Sequence, residues 1–519
     1  MRLRMNASFF TRSCQCAGLA LLCAAFFSRS SSAAAPAVGV SSTGFFLSGL
    51  SNDGSSHPKL ASFFKRLSEM DLEGSASLNW RNVGPRYPEY EAQIQDEVYL
   101  ADMYFGLGGP IADGMPFLME WNMPTSSEGQ IQLSQLNVEY DRLKNTRIEA
   151  GKFLVPFGRY NELYRPDDFL TVTRPLLFAS PDSLDLVVRL NSPRPPLTVG
   201  YTDIGARASY YPPVDNPFIP DEITFFVVNG LGEATNRLRT FPNTDNLGVP
   251  PIPGNGTDID FGHQNNNLAD NNNSKSPGAR VVFALGDLRL PWPIPEKISD
   301  LNGVNLGLSV MGGEYNLEQN LNYQMYDADL TFEYKGINFA SEYVYSSNQF
   351  LAPSKTYLTT NCANGNNTSA CVDVPLLQDY EINQGYYVQA SFPIMKKPPV
   401  GKQLTGVLVL NQMWRRGPAL DLFLNQYANG TQYSSLDALN SAGPRVTTQM
   451  DKYTAALNYQ VSNNFWIKLE WSYWVLSRAT DGNVYGSSSS ESNSVLASLP
   501  NSLGRLNVYQ TALSFVVGF

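Results

Sequence analysis

The chain is 519 residues long, 43% apolar and 16% charged, with 47 acidic against 37 basic residues and a formal charge of −10. That balance argues against nucleic acid as a partner, because neutralising a phosphate backbone takes clustered Lys and Arg. The two histidines, His57 and His263, lie outside the strand-like segments, so a Ser-His or Cys-His nucleophile has no base, and no enzymatic role, metal or cofactor is expected.

In chain order, Arg2, Arg4 and Arg12 precede an apolar stretch from Ala17 to Phe27, and the small-residue run Ser30 to Ala35 follows. Residues 1–35 therefore read as a cleavable secretory signal. A lipid-anchored alternative fails at Cys23, because Leu22 stands where the attachment signal needs a small residue. Removing the signal, with its four arginines and no acid, leaves 33 basic against 47 acidic residues, a net charge near −14. Beyond it no stretch approaches the roughly 18 consecutive apolar residues of a membrane-spanning helix. Residues 36–73 are expected on the periplasmic side, where Leu60, Phe63, Phe64, Leu67 and Met70 recur at helical spacing and predict a short amphipathic helix.

From 74 to 519 the chain reads as one all-β domain. Strand-like segments fall at about 74–82, 94–106, 113–123, 130–140, 146–155, 198–210, 222–230, 278–289, 304–315, 323–334, 337–347, 380–392, 403–415, 447–460, 465–477 and 504–519. The last of them alternates strictly: Tyr509, Thr511, Leu513, Phe515, Val517 and Phe519 make one row, and Gln510, Ala512, Ser514, Val516 and Gly518 the other. A strand with one apolar and one polar face crosses a bilayer only as a stave of a closed tube, since lipid offers no partner to an open backbone edge. About 16 such strands predict a transmembrane antiparallel β-barrel in a bacterial outer membrane, with short or Pro-rich periplasmic turns and long Asn-, Ser- and Gly-rich external loops. Strands 222–230 and 403–415 are apolar on both rows, which leaves their facing open.

The stretch Gln135-Leu-Asn-Val-Glu-Tyr140, followed by Arg147-Ile-Glu-Ala-Gly-Lys-Phe-Leu-Val-Pro-Phe-Gly158 and Tyr160, resembles the strand-turn-strand core of the phosphate-selective porin family. Thr202-Asp-Ile-Gly205, Gly278-Ala-Arg-Val-Val-Phe283 and Leu306-Gly-Leu-Ser-Val310 resemble it too. Such a resemblance implies a sixteen-stranded, often trimeric pore for small solutes. It does not bring phosphate selectivity, which in that family relies on a ladder of lumenal Arg and a basic well. Here the rows expected to face inward carry Asp102, Glu120, Glu139, Glu149, Asp327, Asp329, Glu333, Glu342 and Glu470 against fewer bases: Arg81, Arg147, Arg207, Arg280 and Lys468. Lys152 breaks its strand's alternation, which calls for a bulge or a rim position.

These rows predict a porin: a water-filled channel for small hydrophilic solutes or ions, with a mixed-charge lumen, weak cation preference and a homotrimeric state in outer-membrane lipid. The loop 156–196 is the candidate constriction, with Arg165, Asp167, Asp168 and Arg174 expected at its throat as opposed charges; the alternative is that they only pair with one another on a surface loop. Cys362 and Cys371, the cysteines outside the signal, enclose an Asn-, Gly- and Thr-rich segment and are expected to form a disulfide at a loop tip. Three rival readings stand beside the porin: a solute-specific channel, a sheath around a multihaem electron-transfer partner, which needs an unobstructed lumen, and a structural anchor with a filled interior.

Overall fold

A sheet whose outer row meets hydrocarbon must pair every backbone group within itself, and the chain satisfies this by closing on itself. The computed structural model describes residues 70–84, 96–124, 131–178, 200–213, 216, 218–232, 275–288, 301–315, 321–349, 356–358, 373–375, 380–395, 399–416, 447–478 and 505–519. The expected signal, the N-terminal helix up to residue 69 and the Cys362–Cys371 disulfide lie outside the described residues, as does the loop 156–196 beyond Phe178 as far as 196.

The strands are β1 (Asp71–Gly84), β2 (Asp96–Ala112), β3 (Met115–Pro124), β4 (Gln132–Leu143), β5 (Thr146–Leu154), β6 (Thr202–Tyr210), β7 (Glu222–Val228), β8 (Ser276–Leu288), β9 (Leu301–Glu314), β10 (Asn322–Tyr334), β11 (Ile337–Gln349), β12 (Thr356–Leu358), β13 (Asp373–Pro375), β14 (Tyr380–Pro393), β15 (Gln403–Arg416), β16 (Thr447–Ser462), β17 (Phe465–Arg478) and β18 (Arg505–Gly518). Sixteen of them close one barrel in chain order, and β12 and β13 pair separately as a two-stranded ribbon. Each of the sixteen expected segments is a stave. The ribbon between β11 and β14 was not foreseen, being too short to show a period.

Closure is made by β1 and β18, antiparallel from Ser75 opposite Gly518 to Gly84 opposite Tyr509. Gly74 and Phe519 extend the seam by exchanging backbone hydrogen bonds of 2.8 and 2.9 Å. The terminal ring lies over Gly74, where a Cβ would come within 2.5 Å of the Phe519 Cζ. A side chain at 74 would therefore displace the aromatic terminus that completes the tube.

Two-residue turns join several strand pairs on the side expected to be periplasmic. Lys335 and Gly336 both have positive φ, 52° and 79°, as a tight hairpin matched to the strand twist requires. Asp113 and Gly114 form another, with Gly114 at φ 71°. That turn corrects the boundary expected at 107–112: β2 runs on through Gly108, Gly109 and Pro110 to Ala112. Gly and Pro suggested a break, yet Pro110 sits opposite Pro116 near the strand end, where a missing N–H costs no inner ladder bond.

Facing follows the alternation. On β17 Leu469 and Trp471 are 45% and 47% exposed, whereas Lys468, Glu470 and Ser472 are buried within the tube. Outward aromatics pair across strands at two levels, Tyr453 with Tyr473 and Tyr473 with Tyr509 toward one end, Phe332 with Phe339 toward the other. Such belts fit the two interfaces of a bilayer. The doubly apolar strands are now oriented: Phe225, Val227, Leu408 and Leu410 face out, while Phe226, Val228, Val407 and Val409 are buried inside. Their inner rows are apolar because they belong to a cluster with Phe157, Tyr160, Leu177 and Phe178 of the loop after β5. The pairing of β5 runs through Lys152 without the bulge expected there, and Gly151 beside it takes φ 127°. Lys152 and Phe153 are then both buried, and Lys152 Nζ donates to the Leu133 carbonyl at 2.7 Å.

Candidate functional site

The Gly-Lys-Phe-Leu-Val-Pro-Phe-Gly run carries the chain from β5 into the lumen. Phe153, Val155 and Phe157 are fully buried, and Gly158 turns at φ 74° in a space so close that a Cβ would lie 2.2 Å from Glu342 Oε1. Its N–H donates to Ser309 Oγ on β9 at 3.1 Å, and the Tyr160 N–H donates to Glu342 Oε2 on β11 at 3.0 Å. Asn161 clips the neck: its Nδ2 donates to the Val155 carbonyl at 2.9 Å and its Oδ1 accepts the Tyr201 N–H at 2.7 Å. Tyr160 stacks on Phe178, ring centres 5.3 Å apart, so the segment leaves the wall and returns to one place.

Between those points residues 161–176 cross to the far wall. Arg165 donates from Nε and Nη2 to Glu120 Oε2 on β3 at 3.0 and 2.6 Å, and from Nη2 to Glu73 Oε1 on β1 at 2.5 Å. Glu120 also accepts the Tyr164 hydroxyl at 2.7 Å. Arg174 Nη2 meets Asp102 Oδ2 on β2 at 2.9 Å and the Tyr164 carbonyl at 2.7 Å. Toward the turn between β16 and β17, Lys468 Nζ donates to the carbonyls of Pro166, at 2.6 Å, and Phe169. Glu470 Oε2 accepts the N–H groups of Val172 and Thr173, each at 2.8 Å. Asn411 on β15 takes the Leu176 N–H at 3.4 Å.

The four expected throat residues are thus distributed differently from an opposed pair of rows. Arg165 and Arg174 are committed to wall acids, which ties the segment across the lumen instead of lining open water. Asp167 points toward Gly518 at the end of β18, and its Oδ1 has no hydrogen-bond partner. Asp168 is exposed. Crowding by the surrounding protein, and then the adjacent Asp167 carboxylate, push its pKa up to about 6. The alternative, that these charges only pair among themselves, fails for both arginines for the same reason.

Most of the wall residues expected to face inward are paired across neighbouring strands. Arg147 ion-pairs with Glu139, Arg207 with Glu149 at 2.5 Å, and Arg280 with Asp329 at 2.8 Å and Asp327 at 3.6 Å. Glu342 holds the bridging segment, as do Lys468 and Glu470. Glu333 is half-buried near the end of β10. The bridge also engages Lys452, Asn411, Ser309 and Glu73, which were not among the expected site residues. Lys452 was legible, since it shares a row with Thr454 and Asn458 opposite Tyr453, Ala455 and Leu457. Between the bridge and β1, β2, β17 and β18 remains a polar cavity of about 40 Å³, lined in part by Ser77, Asn79, Asp102, Thr171, Arg174 and Lys468. It has room for a few waters.

An apolar exterior, a charged interior and a loop carried across the bore define a transmembrane β-barrel with an internal bridge. No family model matches the chain, and no curated protein does. Among solved structures it is similar to the outer membrane channel DcaP of Acinetobacter baumannii, at 9% identity and TM-score 0.43 over 87% of this chain and 97% of that one. It is similar to OprB of Pseudomonas putida, at 9% identity and TM-score 0.43 over 90% and 97%. A third is the anion-selective porin from Comamonas acidovorans, at 9% identity and TM-score 0.41 over 87% and 99%. Likenesses this distant do not bear on solute or selectivity, and the functional reading rests on the barrel's own geometry.

Proposed function

We propose that this chain is an outer-membrane porin, a water-filled diffusion channel for small hydrophilic solutes or ions, exported behind residues 1–35 and assembled as a homotrimer in outer-membrane lipid. One observation carries the reading: a closed sixteen-stranded tube keeps Glu139–Arg147, Glu149–Arg207 and Arg280–Asp329 on its inner face and Leu469 and Trp471 on its outer face. Paired charges on a lumen wall suit a polar conduit, because an interior meant only to be filled is served better by apolar residues. With most inner acids paired to bases, the cation preference is weak. The bridge from Pro156 to Phe178 narrows the bore and counts against a sheath, which needs that space for a partner. Its apolar cluster is the one feature that favours an anchor with a filled interior.

Planar-bilayer recording of the purified mature chain in a KCl gradient separates these readings. A porin gives stepwise current with a reversal potential shifted slightly toward that of potassium. Absence of current from folded barrel overturns the proposal and leaves the anchor, and a strong anion preference overturns the lumenal charge assignment.

A further inference from the structure

Three ionisable wall residues are spent on the bridge so completely that nothing of them is left for a solute. Lys452, Lys468 and Glu470 are each about 1% exposed. Glu470 Oε2 takes two backbone amides of the bridge, and Oε1 takes the Thr173 and Ser472 hydroxyls, the latter at 2.6 Å, with Lys452 Nζ 3.8 Å away. Lys468 Nζ binds two bridge carbonyls and lies 4.4 Å over the Phe169 ring. Lys452 Nζ donates to Thr173 Oγ1 and, at 3.2 Å, to the Arg174 carbonyl. Glu470 therefore accepts two amides of the tip, and the two lysines donate to three of its carbonyls.

We propose that Lys452, Lys468 and Glu470 form a latch that fixes the bridge tip, residues 166–174, and so sets the aperture without selecting ions. This rests on the channel reading above, and it reverses the assignment that alternation alone gives to Lys468 and Glu470. Charge loss and latch loss are separable at Glu470. Glu470→Gln removes the charge but keeps an amide-accepting oxygen, whereas Glu470→Ala removes both.

The experiment records single channels of the full mature chain, wild type and both variants, in phosphatidylcholine bilayers with a KCl gradient, after heat-modifiable gel migration shows that each barrel is folded. The latch predicts larger conductance and open-channel noise for Glu470→Ala, with the released fraction of the tip up roughly a hundredfold. Glu470→Gln falls between wild type and Glu470→Ala, because it keeps an oxygen for the two amides but not the charge beside buried Lys452, and the reversal potential is unchanged in both. Equal shifts of reversal potential in the two variants, at unchanged conductance, overturn the latch. Should the wild type pass no current, the channel reading falls but the latch is still tested in detergent. Maleimide labelling of Thr171→Cys is then expected to be roughly a hundredfold faster beside Glu470→Ala than beside wild-type Glu470, and equal rates overturn it.

Discussion

Replacing Glu120 by alanine tests what holds the bridge on the side away from the latch. The Glu120 side chain is wholly buried and accepts Arg165 Nε and Nη2, the Tyr164 hydroxyl at 2.7 and 2.8 Å, and Gln135 Nε2 at 3.3 Å. Hydrogen bonds to a charged group contribute about 1.5–3 kcal/mol each, and breaking a buried ion pair by removing one partner costs about 3–5 kcal/mol. Arg165 keeps Glu73 at 2.5 Å and its side chain is 19% exposed, so lumen water offsets part of the loss. The low end applies, about 3 kcal/mol, which makes undocking of this part of the bridge roughly a hundredfold more frequent. Two readouts follow: open-channel noise in bilayers, which rises, and the thermal transition of the detergent-solubilised barrel, which falls. A double-mutant cycle with Arg165→Ala is expected to be strongly non-additive, because the second truncation removes a partner already lost. Unchanged noise and an unchanged transition in Glu120→Ala, or simple additivity in the cycle, refute the idea that this ion pair docks the bridge.

Lumen charge is expected to respond to pH through Asp168. Its pKa is raised to about 6 in the folded protein, so the docked bridge holds a proton that the released one loses. Docking is thus favoured on the acid side, and that advantage disappears as pH rises through about 6. Lowering pH from 7.5 to 5 removes one negative charge and weakens cation preference in a KCl gradient. Asp168→Asn flattens that dependence, and a variant that retains it in full removes Asp168 from the account. At the seam, Gly74→Val forces a side chain into the Phe519 ring. The fraction of heat-modifiable, folded barrel drops well below wild type, and normal folding yield shows that the terminal ring does not need that gap.

The staves, their number and their facing were legible in the sequence, because a half-wet strand writes its environment at every second residue. β17 is the clearest case, with Phe465, Ile467, Leu469, Trp471 and Tyr473 alternating against Lys468, Glu470 and Ser472. The turns at Lys335–Gly336 and Asp113–Gly114 show the limit. Both are short and glycine-marked, but the second was blurred by Gly108, Gly109 and Pro110 inside a strand that continues past them. The double apolar rows of β7 and β15 were read as ambiguity when they were in fact the imprint of the bridge, since only residues packed against another apolar surface can be apolar inside a water-facing tube.

What the amino-acid order determined by itself is the tube: period-two patterning and turn chemistry act between neighbours in the chain, and a lipid face leaves closure as the only way to satisfy the backbone. What the tertiary structure decided is the use of the inner charges. Arg165 meets Glu120 across 45 positions, and Val172 meets Glu470 across 298. No local pattern encodes such distances, so residues that looked like a charged lining became the fastenings of a bridge once the loop after β5 was laid across the bore.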